Sequence, residues 1–123
     1  MKALIVDDSR AMRMILARTL KELGFDAVEA LHGGDALEQI AVCGPFDLAL
    51  VDWNMPEMDG LEFVRHVRGT HCADSMRIVM VTTESEAERV AAALAAGADE
   101  YVMKPFTKDA LFSKLEIIGL ALP

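Results

Sequence analysis

The sequence predicts an α/β fold in which helices cover both faces of a parallel sheet, within a single domain over residues 1–123. Five short apolar runs alternate with five segments of helical periodicity, the rhythm of strand, helix and parallel strand. Three runs, Ala3 to Val6, Leu48 to Val51 and Ile78 to Val81, are nearly all aliphatic, as central strands buried on both faces must be. Ala27 to Ala30 and Glu100 to Met103 carry more charge and belong at the edges. The chain has 123 residues, 53% apolar but 6% aromatic, which suits one aliphatic core, and it shows neither linker nor repeat.

The helices follow from their caps and stripes. The first has Ser9 as N-cap, Met12, Ile15, Leu16, Leu20 and Leu23 along one face, and Gly24 as its stop. The second runs from about Asp35 to Val42, after a turn at Gly33 and Gly34, and "CGPF" ends it. The third opens near Asp59-Gly60 and carries Leu61, Val64 and Val67 before Gly69. The fourth begins at Ser85, with Glu88 completing a capping box, and closes at Gly97. Thr107 caps the fifth, whose stripe is Leu111, Leu115, Ile118 and Leu122. These stripes are read as core.

Composition excludes several functions. The formal charge is −8, from 20 acids against 12 bases, so a nucleic-acid or anionic-membrane surface is disfavoured, since such surfaces need clustered Lys and Arg. The apolar run in "MKALIVDD" is too short for a signal peptide or a membrane span, and Cys43 and Cys72 lack framework spacing. The expectation is a cytoplasmic chain with free thiols. His32, His66 and His71 have no ligand spacing and read as surface residues, and the glycines at 33 and 34 are not followed by the Lys-Ser/Thr of a phosphate loop.

The chemistry gathers at the carboxyl ends of the predicted strands, where ligands collect in open α/β sheets. Strand one ends in Asp7-Asp8, strand three in Asp52, strand four in Thr82-Thr83, and strand five is followed by Lys104-Pro105. Two like charges at about 4 Å repel by roughly 4 kcal/mol at an effective dielectric near 20, so the Asp7-Asp8 pair must be protonated, solvated or bound to a cation. Oxygen-only ligands suit a hard ion, and Mg²⁺ takes one or two carboxylates and completes its shell with water and phosphate oxygens. Lys104 and Thr82 suit incoming phosphoryl oxygens. Asp52, on a central strand, is the best-placed nucleophile, because aspartyl phosphates are established covalent intermediates.

The segments "VDD" at 6 to 8, "DWNMPEMDG" at 52 to 60, "VTTES" at 81 to 85 and "YVMKPF" at 101 to 106 resemble the receiver domain of two-component response regulators, and closely its chemotaxis regulators. The likeness covers the whole chain. It implies a flavodoxin-like sheet in the order 2-1-3-4-5 and phosphorylation of Asp52 by a histidine kinase or phosphotransfer protein. It also implies Mg²⁺ held by Asp8, Asp52 and the backbone carbonyl of Asn54, with Asp7 acting largely through water. Thr82 and Lys104 would hold the phosphoryl oxygens, and the Lys104-Pro105 bond would be cis. Thr82 and Tyr101 would form a switch that reshapes a helix 4, strand 5, helix 5 surface for a downstream effector. Side chains at Asn54, Thr83 and Glu84 would modulate the lifetime of the phosphoryl group.

Two features depart from the family pattern. Thr83 stands where a smaller residue is usual, which narrows access to the pocket, and "ESEAE" at 84 to 88 is acidic where the chemotaxis protein is lysine-rich. The partner need not therefore be the flagellar motor. The expected function is a monomeric phospho-accepting signalling module, not an enzyme beyond its own phosphorylation and dephosphorylation. The alternative is a small Mg²⁺-dependent phosphatase with an aspartyl nucleophile. Such enzymes usually carry Asp-x-Asp on the first strand, whereas here the acids are adjacent and Ser9-Arg10 follows.

Overall fold

The computed structural model describes residues 1–83, 88–120 and 122. Among these, β1 (Lys2–Val6), β2 (Asp26–Ala30), β3 (Leu48–Asp52), β4 (Arg77–Thr82) and β5 (Glu100–Met103) alternate with α1 (Arg10–Glu22), α2 (Gly33–Cys43), α3 (Gly60–Thr70), α4 (Val90–Ala96) and α5 (Lys108–Ile117). The five strands form one parallel sheet in the order β2-β1-β3-β4-β5. The aliphatic runs are central and the charged ones lie at the edges, as the sequence predicts.

Alternation along the central strands divides the interior into two layers. Leu4, Val6, Ala49, Val51, Ile78 and Met80 pack with Phe63, Val64 and Val67 of α3, Ala36 of α2 and Ala93 of α4. The intervening residues Ala3, Ile5, Leu48, Leu50, Val79 and Val81 pack with Leu16 and Leu20 of α1 and Leu111 and Leu115 of α5. Both faces of the sheet are therefore dry, and the polar ends of its strands are the places where chemistry meets water.

Three expectations need correction. Ile15 is 58% exposed and lies off the buried row of α1, which is Arg13, Leu16 and Leu20. Gly33 and Gly34 lie inside the first turn of α2, not in a turn before it. The cap there is His32, whose ring nitrogen accepts from the Asp35 N–H at 3.1 Å. A Cβ on Gly33 would come within 2.7 Å of the Met58 sulfur, so glycine lets this turn sit against the loop between β3 and α3. Gly69 does not stop α3, which runs on to Thr70 and ends where His71 adopts left-handed backbone. The Ser85 cap lies outside the described residues. Ser9, Asp59 and Thr107 do cap α1, α3 and α5.

Candidate functional site

Register brings the polar strand ends together. Val6 pairs with Val51 and Asp52 with Val81, so the chain leaves β1 into Asp7-Asp8 beside the last residue of β3. Thr82 stands one place further along β4 and pairs with Met103, immediately before Lys104. The Lys104 N–H donates to the Thr82 carbonyl at 2.7 Å, and the Lys104-Pro105 peptide is cis, as the resemblance implied. The Gly44-Pro45 peptide is also cis.

Carboxylate oxygens of Asp7, Asp8 and Asp52 lie within 4.8 Å of one another. Asp7 and Asp52 are buried, at 1% and 7% exposure, and Asp8 is exposed, so the cluster has one open side. Lys104 Nζ lies 3.2 Å from Asp52 Oδ1 and 4.0 Å from Asp7 Oδ2. Asp7 Oδ1 accepts from the Ser9 N–H at 2.8 Å, while buried Asp7 Oδ2 has no hydrogen-bond partner among the described residues.

Burial pushes the Asp7 carboxyl above its ordinary value. The Ser9 N–H and Lys104 oppose that rise, Asp8 adds to it, and Arg13 opposes it. Desolvation therefore outweighs the like-charge repulsion that the sequence emphasised. An orphaned buried oxygen within an all-oxygen cluster, open on one side, fits a hard divalent cation, so these residues suit Mg²⁺.

Thr82 is fully buried, and its hydroxyl donates to the Thr83 carbonyl at 3.2 Å. Thr83 is half-buried and Asn54 is exposed just past Asp52. Tyr101 lies on β5 opposite Met80, two positions below the Thr82–Met103 pair. Its ring packs on the α2–α4 layer, with the Lys114 ammonium 4.5 Å from its centroid. Glu84 lies outside the described residues. The expected sites Asp7, Asp8, Asp52, Thr82 and Lys104 thus converge, while Tyr101 stands back on its strand.

Two supporting residues escaped the sequence reading. Gly60 donates its N–H to the Trp53 carbonyl at 2.9 Å, and a Cβ there would meet the Asp52 carbonyl oxygen and the Met80 methyl at 2.7 Å. Glycine thus lets the start of α3 close against the acceptor strand. Arg13, 8% exposed, donates from Nη1 to the Asp7 carbonyl at 2.8 Å and from Nε to Glu29 at 3.2 Å. Its signal was available: a charged residue three positions before Leu16 on the inner row of α1.

The family model described as the response regulator receiver domain matches residues 3–116. The chain belongs to the response regulator receiver family. The receiver is 44% identical over 119 residues to chemotaxis protein CheY1 of Helicobacter pylori (strain J99), spanning 96% of each chain. It is 47% identical over 117 residues to the chemotaxis protein CheY homolog of Campylobacter jejuni, covering 94% of this chain and 90% of that one. Among solved structures, chemotaxis protein CheY4 of Vibrio cholerae superposes with a TM-score of 0.85 at 36% identity, over 95% of this receiver and 97% of that chain. Its function is that of a phospho-accepting receiver in two-component signalling, and the phosphatase alternative is not favoured.

Proposed function

We propose that Asp52 is the phosphoryl acceptor. A carboxylate oxygen of Asp52 attacks the phosphorus of a donor phosphohistidine, the new O–P bond forms, the P–N bond breaks, and its electron pair stays on the imidazole. Asp7, Asp8, Asp52 and the Asn54 backbone carbonyl hold Mg²⁺. When bound, that ion neutralises carboxylate and phosphoryl oxygen charge. Lys104 pairs with a phosphoryl oxygen and the Thr82 hydroxyl donates to another. The observation that carries this reading is the convergence of three carboxylates, two of them buried, beside the Lys104 ammonium.

The donor is a histidine kinase or phosphotransfer protein, and the receiver catalyses its own phosphorylation and dephosphorylation. Phosphorylation adds a charge of about −2, which draws Thr82 toward the phosphoryl group and turns Tyr101 inward. The α4, β5 and α5 surface then changes its affinity for a downstream effector. Asn54, Thr83 and Glu84 set how long the phosphoryl group lasts. We further propose a cytoplasmic monomer with residues 1–123 as one receiver domain, binding no nucleic acid. Among the described residues no helix is long and apolar enough to cross a membrane. The similarity to chemotaxis proteins supports a role in chemotaxis, and with the acidic 84–88 segment the effector need not be the flagellar motor.

Incubation with acetyl phosphate tests the assignment. One phosphoryl group per chain, dependent on Mg²⁺, decaying afterwards and lost in Asp52→Asn, is the expected result by mass spectrometry. Sustained turnover of a phosphate ester would favour the phosphatase, and absence of any Mg²⁺-dependent modification in the wild type would end the proposal.

A further inference from the structure

We infer that Arg13 is a positioning residue for the cation site: it pins the peptide bond joining Asp7 to Asp8 so that both carboxylates meet Asp52. The inference rests on the proposed Mg²⁺ reading of that cluster. Arg13 occupies the inner row of α1 with Leu16 and Leu20, where an apolar side chain would be ordinary. Burying a guanidinium there is costly unless its donors are used, and both pairings lead to the site or its neighbouring strand.

Nη1 donates to the Asp7 carbonyl, and Nε donates to Glu29 on β2. The Asp7 N–H is held by the Ala30 carbonyl at 3.2 Å and its Oδ1 by the Ser9 N–H. With the carbonyl also fixed, the Asp7–Asp8 peptide plane has little freedom to rotate. That plane sets the directions in which the chain presents its two adjacent carboxylates. Asp7 Oδ2, without a hydrogen-bond partner among the described residues, is left buried 4.0 Å from Lys104 Nζ, the ammonium that also pairs with Asp52.

Charge and position make opposite predictions here. A guanidinium behind the cluster repels a divalent ion, so on Coulombic grounds alone Arg13→Met would strengthen Mg²⁺ binding. A mere tie between α1 and β2 would lower stability and leave the affinity alone. Positioning requires that the affinity fall, and outer partners of metal ligands typically contribute about 10- to 100-fold.

The test is a Mg²⁺ titration of the full chain by calorimetry, with emission of the sole tryptophan, Trp53, which adjoins Asp52, as a second readout. Urea unfolding reports the stability of each variant. Arg13→Met is expected to bind Mg²⁺ about tenfold more weakly. Arg13→Lys, which keeps the charge but not the fork, should lose a few-fold, and Glu29→Gln should stay close to wild type.

Folded Arg13→Met that binds as tightly as wild type, or more tightly, overturns the inference. So does Glu29→Gln if it weakens binding as much as Arg13→Met. If Arg13→Met does not fold, Arg13→Lys decides: weakened binding supports the inference and wild-type affinity overturns it. A wild type that binds no Mg²⁺ would overturn the reading of the cluster itself. Failure of the Arg13 role alone would leave the wild-type titration intact.

Discussion

At the N-terminal end of β4 and β5, the Arg68 guanidinium donates to the carbonyls of Gly97, Ala73, Asp74 and Met76 and to Asp99 Oδ2, at 2.7 to 3.4 Å. The same Asp99 oxygen accepts from the Ile78 N–H. At the other end of the sheet, three carboxylates crowd together, one with a buried oxygen that has no hydrogen-bond partner among the described residues, and Lys104 lies within reach of two of them. One end satisfies its polar groups internally and ties α3 to the loops before β4 and β5. The other leaves acceptor capacity and negative charge in surplus, which is useful only to something that arrives from solution. Stability and function thus occupy opposite ends of the same strands.

Single substitutions should separate the two ends. Arg68→Ala leaves several acceptors without their donor, so urea unfolding should show a loss of about 2–4 kcal/mol, with Mg²⁺ affinity and modification by acetyl phosphate unchanged. An equal loss of affinity would mean that the two ends are not independent.

Asp7→Asn should act in the opposite sense. Removing a buried, desolvated carboxylate beside Asp8 should raise stability at neutral pH without Mg²⁺ while weakening Mg²⁺ binding about tenfold. The pH dependence follows from the raised pKa of Asp7. The native state holds that proton at pH values where the unfolded chain has released it, so without Mg²⁺ stability falls as pH rises from the ordinary carboxylate range through the raised value. Below that range the penalty is absent. Asp7→Asn should remove this portion of the pH dependence, and unfolding curves that keep the same pH profile in both proteins would contradict the burial argument.

The smallest expected effect is at Thr83. Thr83→Ala should speed phosphorylation by small donors, or loss of the phosphoryl group, a few-fold. Stopped-flow and decay measurements with both rates unchanged would show that this side chain does not narrow the pocket.

The acidic end of this contrast is legible in the sequence because it depends on strand ends, whereas the Arg68 network, built on loop carbonyls, is not. Aliphatic runs fix which strands are central, and the strand-end residues Asp7, Asp8, Asp52, Thr82 and Lys104 then gather through the strand order that the family resemblance implies. What escapes depends on distances between elements. Gly60 and Gly33 are required by close approaches to Asp52 and Met58, which no local pattern encodes. Ile15 fits a helical stripe but falls outside the narrower strip that α1 buries. The cap at His32 depends on a ring nitrogen meeting the Asp35 N–H. Arg13 occupies a position where periodicity asks only for an apolar residue, and its partners come from β1 and β2.

The Lys104–Asp52 contact works as an interlock. The backbone of Lys104 is fastened to the Thr82 carbonyl, so its ammonium can leave Asp52 only by rotation of its own long side chain. While that pairing stands, one Asp52 oxygen is engaged by the ammonium, and on the proposed reading the acceptor is capped. Asp7, Asp8 and Asp52 would hold a divalent cation whose charge would replace that of the ammonium, leaving Lys104 for the incoming group. On that reading one ion pair would set the order of events, ion before phosphoryl donor.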